Sequence, residues 1–320
     1  MKIDLKIYRG YANKHSIVIS GHVFKKLSPD SFQLDQKWYR HALTVIQMFR
    51  IKTLKNVDIH FNFNGLKAHT KTKEDGQFIL KIPYNITLDS GWHQFQITAK
   101  TENSEIIKKG EFVRPYPGEY GIISDIDDTF LISHSGNFFK KIYVLLTKNV
   151  HKRKVFNDVV DHYRLLNYLG RENNDTNNAF FYVSSSEWNL YNFITQFTKI
   201  HKFPKAVLAL KDIKTGIADF LFTGGGSHNH KFHKIKELVT FYPELRFVLL
   251  GDDSQKDPFI YENICKMFPK NISTVYIRQT GSQQKQKVLT ALNTMKSLNV
   301  KYCYFTNSTD AINHTKKYLG

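Results

Sequence analysis

The chain has 320 residues, 41% of them hydrophobic and 14% aromatic, enough to build two packed cores. No apolar run reaches the roughly 18 residues of a membrane-spanning helix, and Cys265 and Cys303, the only cysteines, exclude a disulfide framework and a cysteine-rich zinc site. A formal charge of +18 favours polyanions, whether nucleic acid, an anionic membrane surface or a phosphorylated substrate.

The opening Met1-Lys2-Ile3-Asp4-Leu5-Lys6 lacks the apolar stretch of a secretory leader. With two cysteines in core-like patterns, this sets the expected location as cytoplasmic, with peripheral contact at a membrane as an extension. Short strand-like runs follow at Ser16–Ser20, Val57–Phe61, Gln77–Ile82 and Trp92–Ile97, separated by turn signals such as Glu74-Asp75-Gly76 and Asp89-Ser90-Gly91. They predict a small β-sandwich-like domain over 1–115. Only Trp38 to Leu54 has helical character. No constellation here carries chemistry, so a packing or docking role is expected.

Arg114-Pro115-Tyr116-Pro117-Gly118 marks a boundary. Over 119–320 strands alternate with helices, the signature of an α/β fold with a parallel sheet and helices on both faces. The expected strands are 121–125, 179–184, 206–210, 246–251, 274–278 and 302–306. Leu190, Ile194, Phe197 and His201 follow helical spacing after a Ser186 cap. Ile260, Ile264, Met267 and Phe268 do so after Asp257-Pro258, a pair suited to a helix start.

Four positions near strand ends carry candidate chemistry. Asp125 and Asp127 stand two apart after the apolar run Gly121-Ile122-Ile123, so their side chains point to one face. Two carboxylates that close repel unless a cation lies between them, and a hard ion such as Mg2+ prefers oxygen ligands; the competing account is a solvated strand end with a helix cap. Phe180 to Val183 lead into Ser184-Ser185-Ser186, where a hydroxyl can donate to a phosphate oxygen or merely cap a helix. Lys231 lies on the buried stripe of Ile235, Leu238 and Tyr242, near the positive end of its helix dipole. A negative group nearby, or escape of the ammonium to solvent, relieves that conflict. Arg246 to Leu250 lead into Gly251-Asp252-Asp253, with Asp252 placed to complete a metal site and Asp257 expected mainly as the cap of the Pro258 helix. Whether Asp253 or Asp257 assists the metal is open. His228, His230 and His233, after Gly224-Gly225-Gly226, read as lining a loop in preference to a metal cluster.

Thr129 to Asn157 contains no acid. Its Phe138-to-Leu146 segment mixes apolar and basic residues, and Lys148 and His151-Lys152-Arg153-Lys154 follow. It reads either as a basic amphipathic element on an anionic membrane or as an ordinary surface helix.

In this order, acid pair, hydroxyl, lysine and acid resemble the motifs of haloacid dehalogenase-like phosphohydrolases. The segments Ser124-Asp125-Ile126-Asp127-Asp128-Thr129, Tyr182-Val183-Ser184-Ser185-Ser186-Glu187-Trp188-Asn189-Leu190-Tyr191 and Gly251-to-Tyr261 are more closely similar to the actin-patch-associated phosphatidate phosphatase family, and Val275-Tyr276-Ile277-Arg278 fits its downstream strand. Glu187 and Phe130 depart from its pattern. The resemblance implies a Rossmann-like haloacid dehalogenase-type sheet and an Mg2+-dependent phosphatidate phosphatase-like hydrolase acting on a phosphomonoester, a lipid phosphate foremost. In it Asp125 is the nucleophile and Asp127 the acid and base. Ser184 and Lys231 bind phosphate, and Asp125, Asp252 and the Asp127 carbonyl hold the metal. A phosphatase for water-soluble substrates and an idle binding module are the rivals; four intact chemical groups argue against the module. Nucleic acid is not an expected partner, because no helix-turn-helix or aromatic-basic sheet signature occurs. No obligate protein partner is predicted.

Overall fold

The computed structural model describes residues 2–25, 52–118, 120–125, 159–172, 175–211, 226–254 and 256–319. Asp127, the acid-free stretch 129–157 and most of the Trp38-to-Leu54 segment lie outside the described residues, as does Phe130. Contacts divide the described residues into two units, one reaching Pro115 and the other starting at Tyr116.

The first unit carries eight strands: β1 (Ile3–Ile7), β2 (Gly10–Ala12), β3 (Ser16–Lys25), β4 (Asp58–Phe63), β5 (Leu66–Lys71), β6 (Gln77–Pro83), β7 (Gly91–Thr101) and β8 (Ser104–Arg114). The sandwich expectation needs adjustment. Hydrogen bonds join all eight in one sheet, ordered β1-β3-β2-β8-β7-β4-β5 with β6 on β3. Pairing is antiparallel except between β2 and β8. The sheet curls, because β5 and β6, from opposite ends of the path, are neighbours in space. One core results, with Ile19 and Val23 of β3 in the same cluster as Ile59 and Phe61 of β4 and Phe112 of β8. Alternating burial along β4 and β6 shows each strand turning one face inward. Asn64 and Gly65, both at positive φ, form the two-residue turn between β4 and β5. At the end of the expected Trp38-to-Leu54 helix, Thr53 instead bridges to Phe24 of β3.

The second unit is α/β. Its six strands, β9 (Tyr120–Asp125), β10 (Ala179–Glu187), β11 (Ala206–Lys211), β12 (Arg246–Asp252), β13 (Ile272–Arg278) and β14 (Lys301–Phe305), pair in the order β11-β10-β9-β12-β13-β14, all parallel. Every residue of β9 and β13 is buried, so the sheet is covered on both faces. The cover is supplied by α1 (Val159–Asn167), α2 (Tyr191–Ile200), α3 (Gly226–Phe241), α4 (Asp257–Met267), α5 (Gln286–Ser297) and α6 (Ser308–Tyr318). The general right-handedness of parallel crossovers, applied outward from β9 on one side and from β12 on the other, predicts α1 and α4 on opposite faces. Accordingly α1 packs on α6, while α3, α4 and α5 pack in series.

Two helix expectations change. β10 runs on to Glu187, which pairs with Lys211, and a 3-10 turn Trp188–Leu190 precedes α2, so Leu190 and not Ser186 occupies the cap position. Along α4, Met267 is exposed and Cys265 takes the buried position with Ile260, Tyr261 and Ile264. His230 and His233 belong to helix α3, which begins at Gly226, and not to a loop.

Candidate active site

β9 and β12 are parallel neighbours at the centre of the sheet, with Leu250 opposite Ser124. Successive strands proceed in opposite directions from this pair, so their carboxyl ends open into the crevice where such sheets bind ligands. Asp125 closes β9 and Asp252 closes β12, each buried almost completely. Ser184, fully buried, stands on β10 one residue past Val183, the register partner of Asp125.

Lys231 joins these groups from α3. Its stripe partners Ile235, Leu238 and Tyr242 are buried, and Lys231 itself is 3% exposed, so its ammonium does not escape to solvent. Nζ lies 3.0 Å from Asp125 Oδ1 and 2.9 Å from Asp257 Oδ1. The expected negative neighbour is therefore a pair of carboxylates. Asp257 is the residue whose role the spacing misjudged. Lys256 occupies the cap position of α4 without a side-chain cap bond, and the Asp257 carboxylate turns inward to Lys231.

Gly251 makes that turn feasible. A Cβ there would lie 2.7 Å from Asp257 Oδ2 and 3.0 Å from Tyr261 Cε2. Tyr261 donates to the Leu250 carbonyl at 2.7 Å. Burial, reinforced by the charges of Asp257 and Asp125, raises its phenol well above the ordinary tyrosine range. It therefore stays protonated beneath the acids. On the other side Ser124 Oγ donates to the Asp125 carbonyl at 2.9 Å and meets Tyr163 OH at 2.5 Å.

The adjacent acids have different partners. Asp252 Oδ1 accepts from the Ser254 N–H and hydroxyl, both at 2.8 Å. Asp253 Oδ1 accepts from Thr280 N at 2.9 Å and Thr280 Oγ1 at 2.5 Å, while Oδ2 accepts from Tyr304 OH at 2.6 Å. Burial opposes ionisation of Asp253, but the Thr280 and Tyr304 hydrogen bonds hold its carboxyl below the usual range. Thus Asp253 is engaged by Thr280 and Tyr304, and Asp257 by Lys231. Arg278, opposite Asp252 in the register, is a further buried cation that motif spacing alone did not single out. It donates to Ser308 Oγ at 2.6 Å, and burial lowers its pKa to about 10 against the raising effect of Tyr163 and Asp252.

Asp125 and Asp257 share one lysine, and Asp252 closes the strand beside Asp125. Such a buried excess of negative charge suits a cation. Among the described residues no three His, Cys, Asp or Glu side chains group closely enough to hold a metal ion. Two carboxylates plus a backbone oxygen remain a hard-oxygen donor set, but Asp127, the expected source of that oxygen, lies outside the described residues. Among the described residues no helix is long and apolar enough to cross a membrane.

A family model described as "Phosphatidate phosphatase APP1, catalytic domain" matches residues 120–279, from the start of β9 to just past β13. That is half of the chain, and the chain belongs to this family. The Saccharomyces cerevisiae protein "Phosphatidate phosphatase APP1" is 27% identical over 231 residues, covering 70% of this chain. The chain spans only 37% of that relative's length. Among solved structures, a carbohydrate acetylesterase from Xanthomonas citri overlaps at a TM-score of 0.34, with 9% identity over 99% of this chain and 75% of that one. A β-glucuronidase from Parabacteroides merdae overlaps at 0.30, with 7% identity over 94% of this chain and 40% of that one. Nothing about fold or activity follows at such scores.

Proposed function

We propose that this protein is an Mg2+-dependent phosphatase of the haloacid dehalogenase type that hydrolyses phosphatidate or a related lipid phosphomonoester. The observation that carries the reading is the buried contact of Lys231 Nζ with Asp125 Oδ1, 3.0 Å apart at the end of the central strand, with Asp252 on the neighbouring strand. The family membership supports phosphatidate as the substrate.

In this reading a carboxylate oxygen of Asp125 attacks phosphorus, the bond to the leaving alkoxide breaks, and Asp127 gives the alkoxide its proton. Asp127 then takes a proton from water, which attacks the aspartyl-phosphate, frees inorganic phosphate and regenerates Asp125. Lys231 and Ser184 hold phosphoryl oxygens, since phosphoryl transfer depends mainly on positioning and electrostatic stabilisation. Asp257 keeps Lys231 in place between turnovers. Asp125 and Asp252 would hold Mg2+ together with the Asp127 carbonyl, and the ion would offset charge between nucleophile and phosphate. The excess positive charge would draw the protein to anionic lipid, each nearby Lys or Arg adding roughly 1 kcal/mol.

The test is hydrolysis of phosphatidate, lysophosphatidate and water-soluble phosphomonoesters by purified protein with and without Mg2+, beside Asp125→Asn. Phosphate release from phosphatidate that needs Mg2+ and disappears in a folded Asp125→Asn variant is expected. Activity that survives the substitution above a few per cent overturns the nucleophile. Preference for soluble esters with no vesicle binding overturns the lipid assignment.

A further inference from the structure

Asp253 is the hub of a hydrogen-bond network that nothing in the proposed reaction uses. Its N–H donates to the Arg278 carbonyl at 3.0 Å, tying it to the end of β13. Its carboxylate accepts from Thr280 and from Tyr304 of β14, and its own carbonyl accepts from Lys285 Nζ. Tyr304 OH also receives the Lys285 N–H at 3.2 Å. Both ends of the segment 279–285 are thereby fastened to the residue that follows Asp252.

The segment's position gives the fastening a use. It joins β13 to α5 at the carboxyl edge of the sheet, and its first residue follows Arg278, the register partner of Asp252. Between its two anchors stand Gly281, Ser282, Gln283 and Gln284, all exposed and bearing no acid. Loops at this edge of a parallel sheet supply ligand contacts. A carboxylate as well bonded as Asp253 holds its loop in one arrangement, which reduces the ordering cost of binding.

We propose that the 279–285 loop is a substrate-selecting rim of the phosphatase site and that Asp253 is the positioning residue that holds it. The rim presents hydroxyl and amide groups, which suit a leaving group rich in hydroxyl or ester oxygens, such as a glycerol ester, over a plain aryl alcohol. This inference rests on the phosphatase reading above.

The experiment compares kcat and KM of the wild type, Gln283→Ala/Gln284→Ala, Tyr304→Phe and Asp253→Asn on lysophosphatidate and on a small aryl phosphate, with Mg2+ and thermal midpoints alongside. Loss of two hydrogen bonds should lower the ratio of kcat/KM for lysophosphatidate over the aryl phosphate about tenfold, through KM. Asp253→Asn should lower it at least as far, with Tyr304→Phe in between. If Asp253→Asn does not fold, the two exposed glutamines and Tyr304 still decide the matter. A ratio within twofold of wild type in the folded variants overturns the rim, including the case in which both substrates lose equally and Asp253 acts only through Asp252. A wild type inactive on every phosphomonoester instead overturns the phosphatase reading, and the rim with it.

Discussion

Asp257 Oδ1 lies 2.9 Å from Lys231 Nζ, and neither side chain is more than 3% exposed. The contact joins the first turn of α4 to the second turn of α3, and it leaves the ammonium within reach of Asp125 as well. A lysine held this way has lost its side-chain entropy before any phosphate arrives.

Asp257→Asn should therefore weaken both fold and turnover. Breaking one side of a buried ion pair costs about 3 kcal/mol, toward the lower end of the usual range because Lys231 keeps Asp125. Urea denaturation measures the first effect, and phosphate release with Mg2+ should fall at least tenfold. A variant as stable and as fast as wild type would show the contact to be incidental.

Lys231→Ala removes the proposed phosphate ligand and also takes away the ammonium that Asp125 and Asp257 share. The expected loss of stability is about 3 to 5 kcal/mol. In the double variant with Asp257→Asn the two losses should fall short of their sum by at least about 1 kcal/mol, because the residues share one interaction. Additive losses in the denaturation cycle would contradict the pairing.

Gly251→Ala places a methyl group 2.7 Å from Asp257 Oδ2. Overpacking of this kind costs about 1 to 3 kcal/mol. Displacement of Asp257 should also lower kcat. Thermal denaturation and initial rates test both effects, and an unchanged kcat would mean that Asp257 tolerates the shift.

His162 carries a pH dependence. It is 2% exposed on α1, its Nε2 is 3.0 Å from Thr315 Oγ1, and burial, with Arg278 and His314 adding to it, lowers its pKa from 6.5 to about 3. The folded value is the lower one, so the unfolded chain takes up the proton first. The stabilising contribution of neutral His162 is complete above 6.5 and is lost as pH falls toward about 3. The slope is about 1.4 kcal/mol per pH unit. Buried His22, lowered to about 4, adds a similar loss in the first unit. Between pH 6.5 and about 4.5, His162→Gln should lose roughly 2 kcal/mol less than wild type in urea denaturation. Equal slopes would place the protonation elsewhere.

The sequence by itself determined the strand–helix alternation of the second unit and the positions of Asp125, Ser184 and Asp252 near strand ends, since these depend on local periodicity and on apolar runs long enough to be buried. It also marked Lys231 as a charge on an apolar stripe. β5 and β8 escaped notice because Leu66–Lys71 buries no residue fully and Ser104–Arg114 buries only Phe112 and Val113, although Asn64-Gly65 was a usable hairpin signal. The tertiary structure alone decided which acid meets which donor. Asp252, Asp253 and Asp257 are equivalent on chemistry and nearly so on spacing, but Ser254, Thr280 with Tyr304, and Lys231 claim them respectively. Partners up to 51 residues away in the chain make that choice. A buried carboxylate takes the donor that packing brings to it, and packing is a property of the whole fold.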